Sequence, residues 1–117
     1  MNKSKIINYL TIDVEDYFQV SAFEKVIDPK GWDTYPCGVV QNTQIILDLL
    51  AQQDVKATFF IVGWIAQRYP ELVCQISEHG HEVGCHSYWH RKVYDLTPEE
   101  FRQDTHRSKS TLENITG

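Results

Sequence analysis

The sequence predicts an α/β domain with a parallel sheet. Short apolar runs alternate with longer stretches of helical periodicity, the pattern of successive βα units. The longer stretches carry the residues that start and stop helices. A chain of 117 residues, 42% hydrophobic and 23% charged, also suits one globular domain with a small core rather than a disordered or fibrous chain. No repeat, low-complexity tract or linker divides it, so residues 1–117 are expected to form a single unit.

The first strand is read over 5–13, "KIINYLTID", the second over 56–62, "KATFFIV", and the third over 81–86, "HEVGCH". Between the first two, Val39, Thr43, Ile46, Leu47 and Leu50 recur at the spacing of one helix face, which predicts a helix over 39–53 that covers the sheet. After the second strand, Pro70 splits the chain into a short helical turn and a second helix, with Gly80 placed to end it in a left-handed cap. Thr97, Pro98 and Glu100 make a capping box that opens a helix over 98–115. Segment 14–38 lacks a period and holds Pro29, Gly31, Pro36 and Gly38, which predicts a long loop with one short helix.

A formal net charge of -5 and the lack of a basic patch argue against nucleic acid or an anionic membrane surface as the main partner. The amino terminus has neither the apolar length of a membrane span nor the form of a signal peptide, which predicts a cytoplasmic protein. Cys37, Cys74 and Cys85 are odd in number and show no CxxC spacing, so they read as free packing thiols.

Parallel α/β sheets carry their functional residues on the loops after the strands, because only the strand ends open to solvent. Two of the three strand ends hold unusual residues. Asp13, Glu15 and Asp16 follow the first, and "GCHSYWHRK", with His86 and His90, ends the third. Two imidazoles and one carboxylate make a three-ligand site with an open position for water or substrate, the composition of catalytic zinc. Each cluster has a plainer reading, the carboxylates as helix caps and the histidines as surface or packing residues; their agreement on one rim favours the metal. Asp13 and Glu15 would share a face of an extended chain while Asp16 points elsewhere, which permits one carboxylate to bind an ion and another to take a proton.

"LTIDVEDYF", "KATFFIVGWIA" and "HGHEVGCHSYWH" together resemble the amino-terminal half of the polysaccharide deacetylase family, also called carbohydrate esterase family four. His86, Ser87 and His90 match every required position of its His-(Ser/Thr)-x-x-His motif. The resemblance implies the first three βα units of a distorted (β/α) barrel. It also implies a metal-dependent hydrolase that removes N-acetyl groups from amino sugars of a polysaccharide or oligosaccharide. The first motif departs from the common pair of adjacent aspartates followed by Gly, since this chain reads Asp13, Val14, Glu15, Asp16. "DVEDYFQVSAFE" is instead similar to deacetylases of exosortase-linked exopolysaccharide loci, whose pattern implies Asp13 as base and Glu15, His86 and His90 as ligands of a divalent metal, most simply zinc. Asp16 is the alternative ligand.

The family's later motifs, an Arg-Pro-Tyr-like segment, an Asp-x-Trp segment and a Leu-x-His segment with the general-acid histidine, do not occur before Gly117. The chain therefore reads as part of a longer product, inactive by itself and prone to self-association. Two other functions fit the same residues: a cyclic-imide or ureide hydrolase of similar fold, and a non-catalytic carbohydrate-binding or structural module with a vestigial site. Trp64, Tyr88, Trp89, Trp32 and Tyr35 are candidates to stack on sugar rings or to pack in the core.

Overall fold

Β-branched and aromatic residues make two of the three strands, and amphipathic segments make the helices. A computed structural model describes residues 4–117. The order is β1 (Thr11–Val14), α1 (Val39–Gln52), β2 (Thr58–Ile61), α2 (Gly63–Arg68), α3 (Pro70–Glu78), β3 (Glu82–Cys85) and α4 (Pro98–Thr116). Short 3-10 turns occupy the segments before α1 and α4.

The sheet is parallel in the order β1-β2-β3, as the βα pattern requires. Val14, Ile61 and Cys85 lie side by side at its end. The ladder runs one step further, with Val62 N donating to Val14 O and His86 N to Ile61 O. Glu15 and His86 therefore leave the sheet at the same level, on the strands that flank β2.

The two faces of the sheet differ. The rows Ile12, Phe59, Val83 and Val14, Ile61, Cys85 face a single apolar cluster to which α1, α2, α3 and α4 all contribute. The alternate rows, Thr11, Thr58, Glu82 and Asp13, Phe60, Gly84, face the other way, where no helix packs among the described residues. Helices on one face only are the arrangement of a barrel wall, whose second face is the barrel interior. Gly84 belongs to that arrangement: a Cβ there would fall 2.7 Å from the Phe60 ring, which lies across it.

The helix signals act as expected. Val39, Thr43, Leu47 and Leu50 of α1 are buried. Pro70 opens α3, and Gly80 follows it with φ +83°. Thr97 and Glu100 form the reciprocal capping box of α4. No helix among the described residues is long and apolar enough to cross a membrane.

The structure corrects two readings. The first strand does not begin at residue 5: Thr58 N donates to Leu10 O, and the chain before Thr58 turns at Asp54, so among the described residues no strand pairs with residues 4–9. Ile6, Ile7 and Tyr9 are accordingly exposed. Segment 14–38 holds three 3-10 turns rather than one short helix, Tyr17–Gln19, Ser21–Phe23 and Pro29–Thr34. Aromatic packing organises this loop, with Phe18 against Trp32, Tyr35 and Trp64 at centroid distances of 5.7–6.1 Å.

Gly63, at the start of α2, sets how closely the loop after β3 can approach. Its N–H donates to Ser87 O at 2.8 Å, and a Cβ would meet Tyr88 Cδ2 at 2.5 Å and Tyr88 Cα at 3.0 Å. Because the second contact is to backbone, the loop itself would have to move. Gly63→Ala is expected to destabilise the fold by about 1–3 kcal/mol, the usual cost of overpacking. Chemical denaturation checks it; wild-type stability would show that the loop has slack.

Candidate metal centre

Glu15, His86 and His90 bring one ligand atom each to within 4.8 Å of one another. Glu15 Oε2 lies 2.7 Å from His90 Nε2 and 3.9 Å from His86 Nε2. Ligand atoms around a tetrahedral zinc ion stand about 3.4 Å apart, given zinc–ligand distances near 2.0–2.1 Å, so these separations bracket what such an ion requires. The short Glu15–His90 contact lacks hydrogen-bond alignment, which leaves Glu15 Oε2 a buried acceptor without a partner. An unsatisfied buried carboxylate oxygen facing two imidazoles fits a cation, and the mixed nitrogen and oxygen donor set suits zinc and similar divalent ions.

The two histidines do not lie on a helix. They sit on a tight loop in which Ser87 (φ 59°) and His90 (φ 56°) adopt the left-handed conformation, which costs about 1–3 kcal/mol at a non-glycine residue. A hydrogen-bond network offsets that strain. Asp104, from α4, accepts from Ser87 Oγ (2.8 Å), Tyr88 N (3.0 Å) and Trp89 N (3.3 Å). Ser87 O accepts from Ser108 Oγ (3.1 Å) and Gly63 N, and Tyr88 O accepts from Trp64 N. The loop is thus clamped between α2 and α4. Ring centroids of His86 and His90 are 4.9 Å apart at 73°, so the imidazoles converge without stacking.

The three acidic residues after β1 divide their work. Asp13 Oδ2 lies 3.8 Å from His86 Nε2, and its side chain is 53% exposed. That places a carboxylate beside the cluster but outside it. Asp16 points away and is spent on backbone: Oδ2 accepts from Gly38 N (2.7 Å) and Val39 N (3.0 Å) at the start of α1, and Oδ1 from Tyr17 N (2.8 Å). Its own N–H donates to Gln19 Oε1, completing a capping box. The helix-cap reading of a carboxylate therefore applies to Asp16.

Among the aromatic candidates, Trp32 and Tyr88 are buried, and Trp32 packs between Phe18, Trp64 and Trp89. They are core residues: Trp32 packs inside the loop before α1, and Tyr88, after β3, packs against Gly63. Arg107 covers Tyr88 at 3.7 Å from the ring centroid. Of the other histidines, His81 is buried and accepts from Ala57 N at 3.1 Å at the opposite end of the sheet, where burial lowers its pKa. The three cysteines form no disulfide, and burial, then Asp16, raises the pKa of Cys37. Asp104, Ser108 and Gly63 escaped sequence reasoning. Asp104 and Ser108 stand four apart on one face of α4, a weak signal in a helix crowded with polar residues.

The polysaccharide deacetylase family profile matches residues 30–117, a segment that contains His86 and His90. The chain belongs to the polysaccharide deacetylase family. It is 36% identical over 78 residues to a peptidoglycan-N-acetylglucosamine deacetylase of Bacillus cereus, covering 67% of this chain and 28% of that protein. It is 31% identical over 75 residues to a chitooligosaccharide deacetylase of Azorhizobium caulinodans, covering 64% of this chain and 36% of the relative. Among solved structures, the Bc1960 peptidoglycan N-acetylglucosamine deacetylase superposes on 93% of this chain and 41% of its own, with TM-score 0.68 and 27% identity. A family pseudoenzyme from Bacillus anthracis covers 92% of this chain and 32% or less of its own, with TM-score 0.69 and 26% identity. The chain thus spans about a third of the length of these curated relatives and is one part of the family's (β/α) barrel.

Substitutions separate the two kinds of carboxylate. Asp16→Ala is expected to cost about 0.5–2 kcal/mol of stability through the lost caps and to leave zinc affinity unchanged. Asp104→Ala should weaken zinc about 10–100-fold, the usual effect of removing a group that orients metal ligands. Denaturant melts and calorimetry on metal-stripped protein read both, and a zinc defect in Asp16→Ala larger than that of Glu15→Ala would transfer the ligand role to Asp16.

Proposed function

We propose that this chain carries the metal-binding and proton-accepting part of a metal-dependent deacetylase that hydrolyses N-acetyl groups on amino sugars of a polysaccharide. The observation that carries this reading is the convergence of Glu15, His86 and His90 beside Asp13 at one end of the sheet. The family's named activities on peptidoglycan and chitooligosaccharide, as borne by its relatives, support the substrate class. A divalent ion held by Glu15, His86 and His90, with zinc the best match, would polarise the amide carbonyl and lower the pKa of its bound water. Asp13 is the base: its exposed carboxylate lies near the cluster without entering it, where it can accept a proton at Oδ2. Ser87 and Asp104 hold the two imidazoles in place so that neither must be ordered when substrate arrives.

A second reading has its own support. One structural relative is a pseudoenzyme of the same family, so the family's fold also occurs in a protein described as a pseudoenzyme. Under that reading the chain would bind carbohydrate or metal without catalysis. A hydrolase of cyclic imides or ureides would use the same groups on a smaller substrate.

Zinc titration by calorimetry tests the ligand set. His86→Ala, His90→Ala and Glu15→Ala should each lose most of the affinity, and wild-type affinity in any of them would remove that residue from the site. Asp13→Asn should keep zinc and, in a longer protein that completes the barrel, lose at least about a hundredfold in rate, the low end of general-base contributions. Loss of zinc in Asp13→Asn would exchange the base and ligand roles.

Residues 1–117 alone are expected to show negligible turnover of acetylated chitooligosaccharide and to self-associate through the open sheet. The general acid that the family resemblance implies is not found in residues 1–117, and going without it alone would cost at least about a hundredfold. Acetate release and sedimentation velocity check the two halves; turnover by a monomer at the rate of a complete family enzyme would refute both.

A further inference from the structure

At the end of the sheet opposite the metal cluster, a side chain joins two strands. Ala57, just before β2, donates its N–H to Nδ1 of His81, just before β3, at 3.1 Å, and its carbonyl accepts from Glu82 N at 3.1 Å. The imidazole thus supplies the acceptor that extends the β2–β3 ladder by one bond. The backbone of His81 is tethered as well, since its N–H donates to Ile76 O in α3 at 3.3 Å. The residue is 7% exposed, and its ring packs against Phe59 at a centroid distance of 4.9 Å.

A neutral imidazole that accepts at Nδ1 carries its one proton on Nε2. The position left for a second proton is Nδ1 itself, so protonation sets one N–H against another and takes the acceptor away from Ala57. The surroundings offer the cation nothing in return. The charged groups that act on His81 are Lys56, just before β2, and His79, just after α3, and both oppose a positive ring. Lys56 is held there, its Nζ donating to His79 O at 2.6 Å, while His79 Nδ1 donates to Gln75 O at 2.7 Å. Glu82 is turned to the bare face of the sheet, where Oε2 accepts from Thr58 Oγ1 at 2.8 Å, and Glu78 is exposed. Burial, then the two cations, lower the His81 pKa from its ordinary 6.5.

We propose that His81 is an acid-sensitive latch of the sheet. Neutral, it ties the start of β3 to the start of β2; protonated at Nδ1, it releases them. Because the fold holds the neutral form, the latch contributes its full stability above pH 6.5, the ordinary histidine value, and loses it as the pH falls from there through the lowered one. β3 has four residues and His86 follows it, so the latch supports one of the two strands that present the metal rim. It is independent of the deacetylase reading.

The test uses metal-free residues 1–117, which keeps zinc out of the pH response. Imidazole 1H–15N correlation spectra, with His81 identified by its nuclear Overhauser contact to Ala57 N–H, are expected to show the Nε2–H tautomer at neutral pH and a titration midpoint below 6.5. His81→Asn keeps an acceptor, Oδ1, in the place of Nδ1 and takes up no proton. Between about pH 7.5 and about pH 5, Ala57 N–H in the wild type is expected to lose about tenfold more protection against hydrogen exchange than in His81→Asn, once the intrinsic pH dependence of exchange is divided out. A midpoint at or above 6.5, the Nδ1–H tautomer at neutral pH, or equal losses of protection in wild type and variant overturns the latch. If His81→Asn does not fold, the tautomer and midpoint of the wild type decide.

Discussion

The register of the parallel sheet is the constraint on which the rest depends. With Val14, Ile61 and Cys85 aligned, the residues that follow β1 and β3 emerge level with one another. Glu15 and His86 are far apart in sequence and on strands that do not touch, yet they share one rim. A strand slipped by one residue would turn its whole pattern to the other face, moving Asp13 into the apolar cluster and Val14 out of it. The burial of Val14, Phe59 and Ile61 forbids that slip. The hydrophobic core and the chemistry of the rim are therefore set by one alignment.

Two further carboxylates convert that alignment into a fixed site. Asp16 ties the chain after β1 to the first turn of α1, and Asp104 ties the chain after β3 to α4. Each accepts several backbone or hydroxyl donors, so each is worth more as an anchor than as a free acid. Between the anchors, Glu15 and the two imidazoles are left with unsatisfied capacity directed at one another. The strain at Ser87 and His90 belongs to the same design: the left-handed turns bring the second imidazole back toward the first, and the α2 and α4 contacts hold them there.

The bare face of the sheet accounts for the chain's relation to its family. Helices pack on one side, while Asp13, Phe60 and Gly84 lie on the other, which in a barrel is the inside. The solved relatives carry this arrangement as 41% or less of their own chains in the structures compared. In a barrel enzyme the catalytic groups come from around the whole mouth, and this chain forms one arc of the barrel wall.

Much was legible in the sequence because it depends on local rules. Periodicity, Pro70, Gly80 and the Thr97–Glu100 box located the helices, and the βα alternation required a parallel sheet. The spacing of His86, Ser87 and His90 marked the loop and its family. Tertiary structure decided what spacing leaves open. The first strand is shorter than its apolar run because a strand extends only as far as its neighbour does, and among the described residues no strand pairs with residues 4–9. Asp16 became an anchor because Gly38 and Val39, distant in sequence, bring two N–H groups to its carboxylate. Trp32 and Tyr88 are buried because the loop that carries the site needs a core of its own. Asp104 could not be found in advance, since its role comes from α4 crossing the loop after β3, and a helical sequence does not state what its polar face will meet.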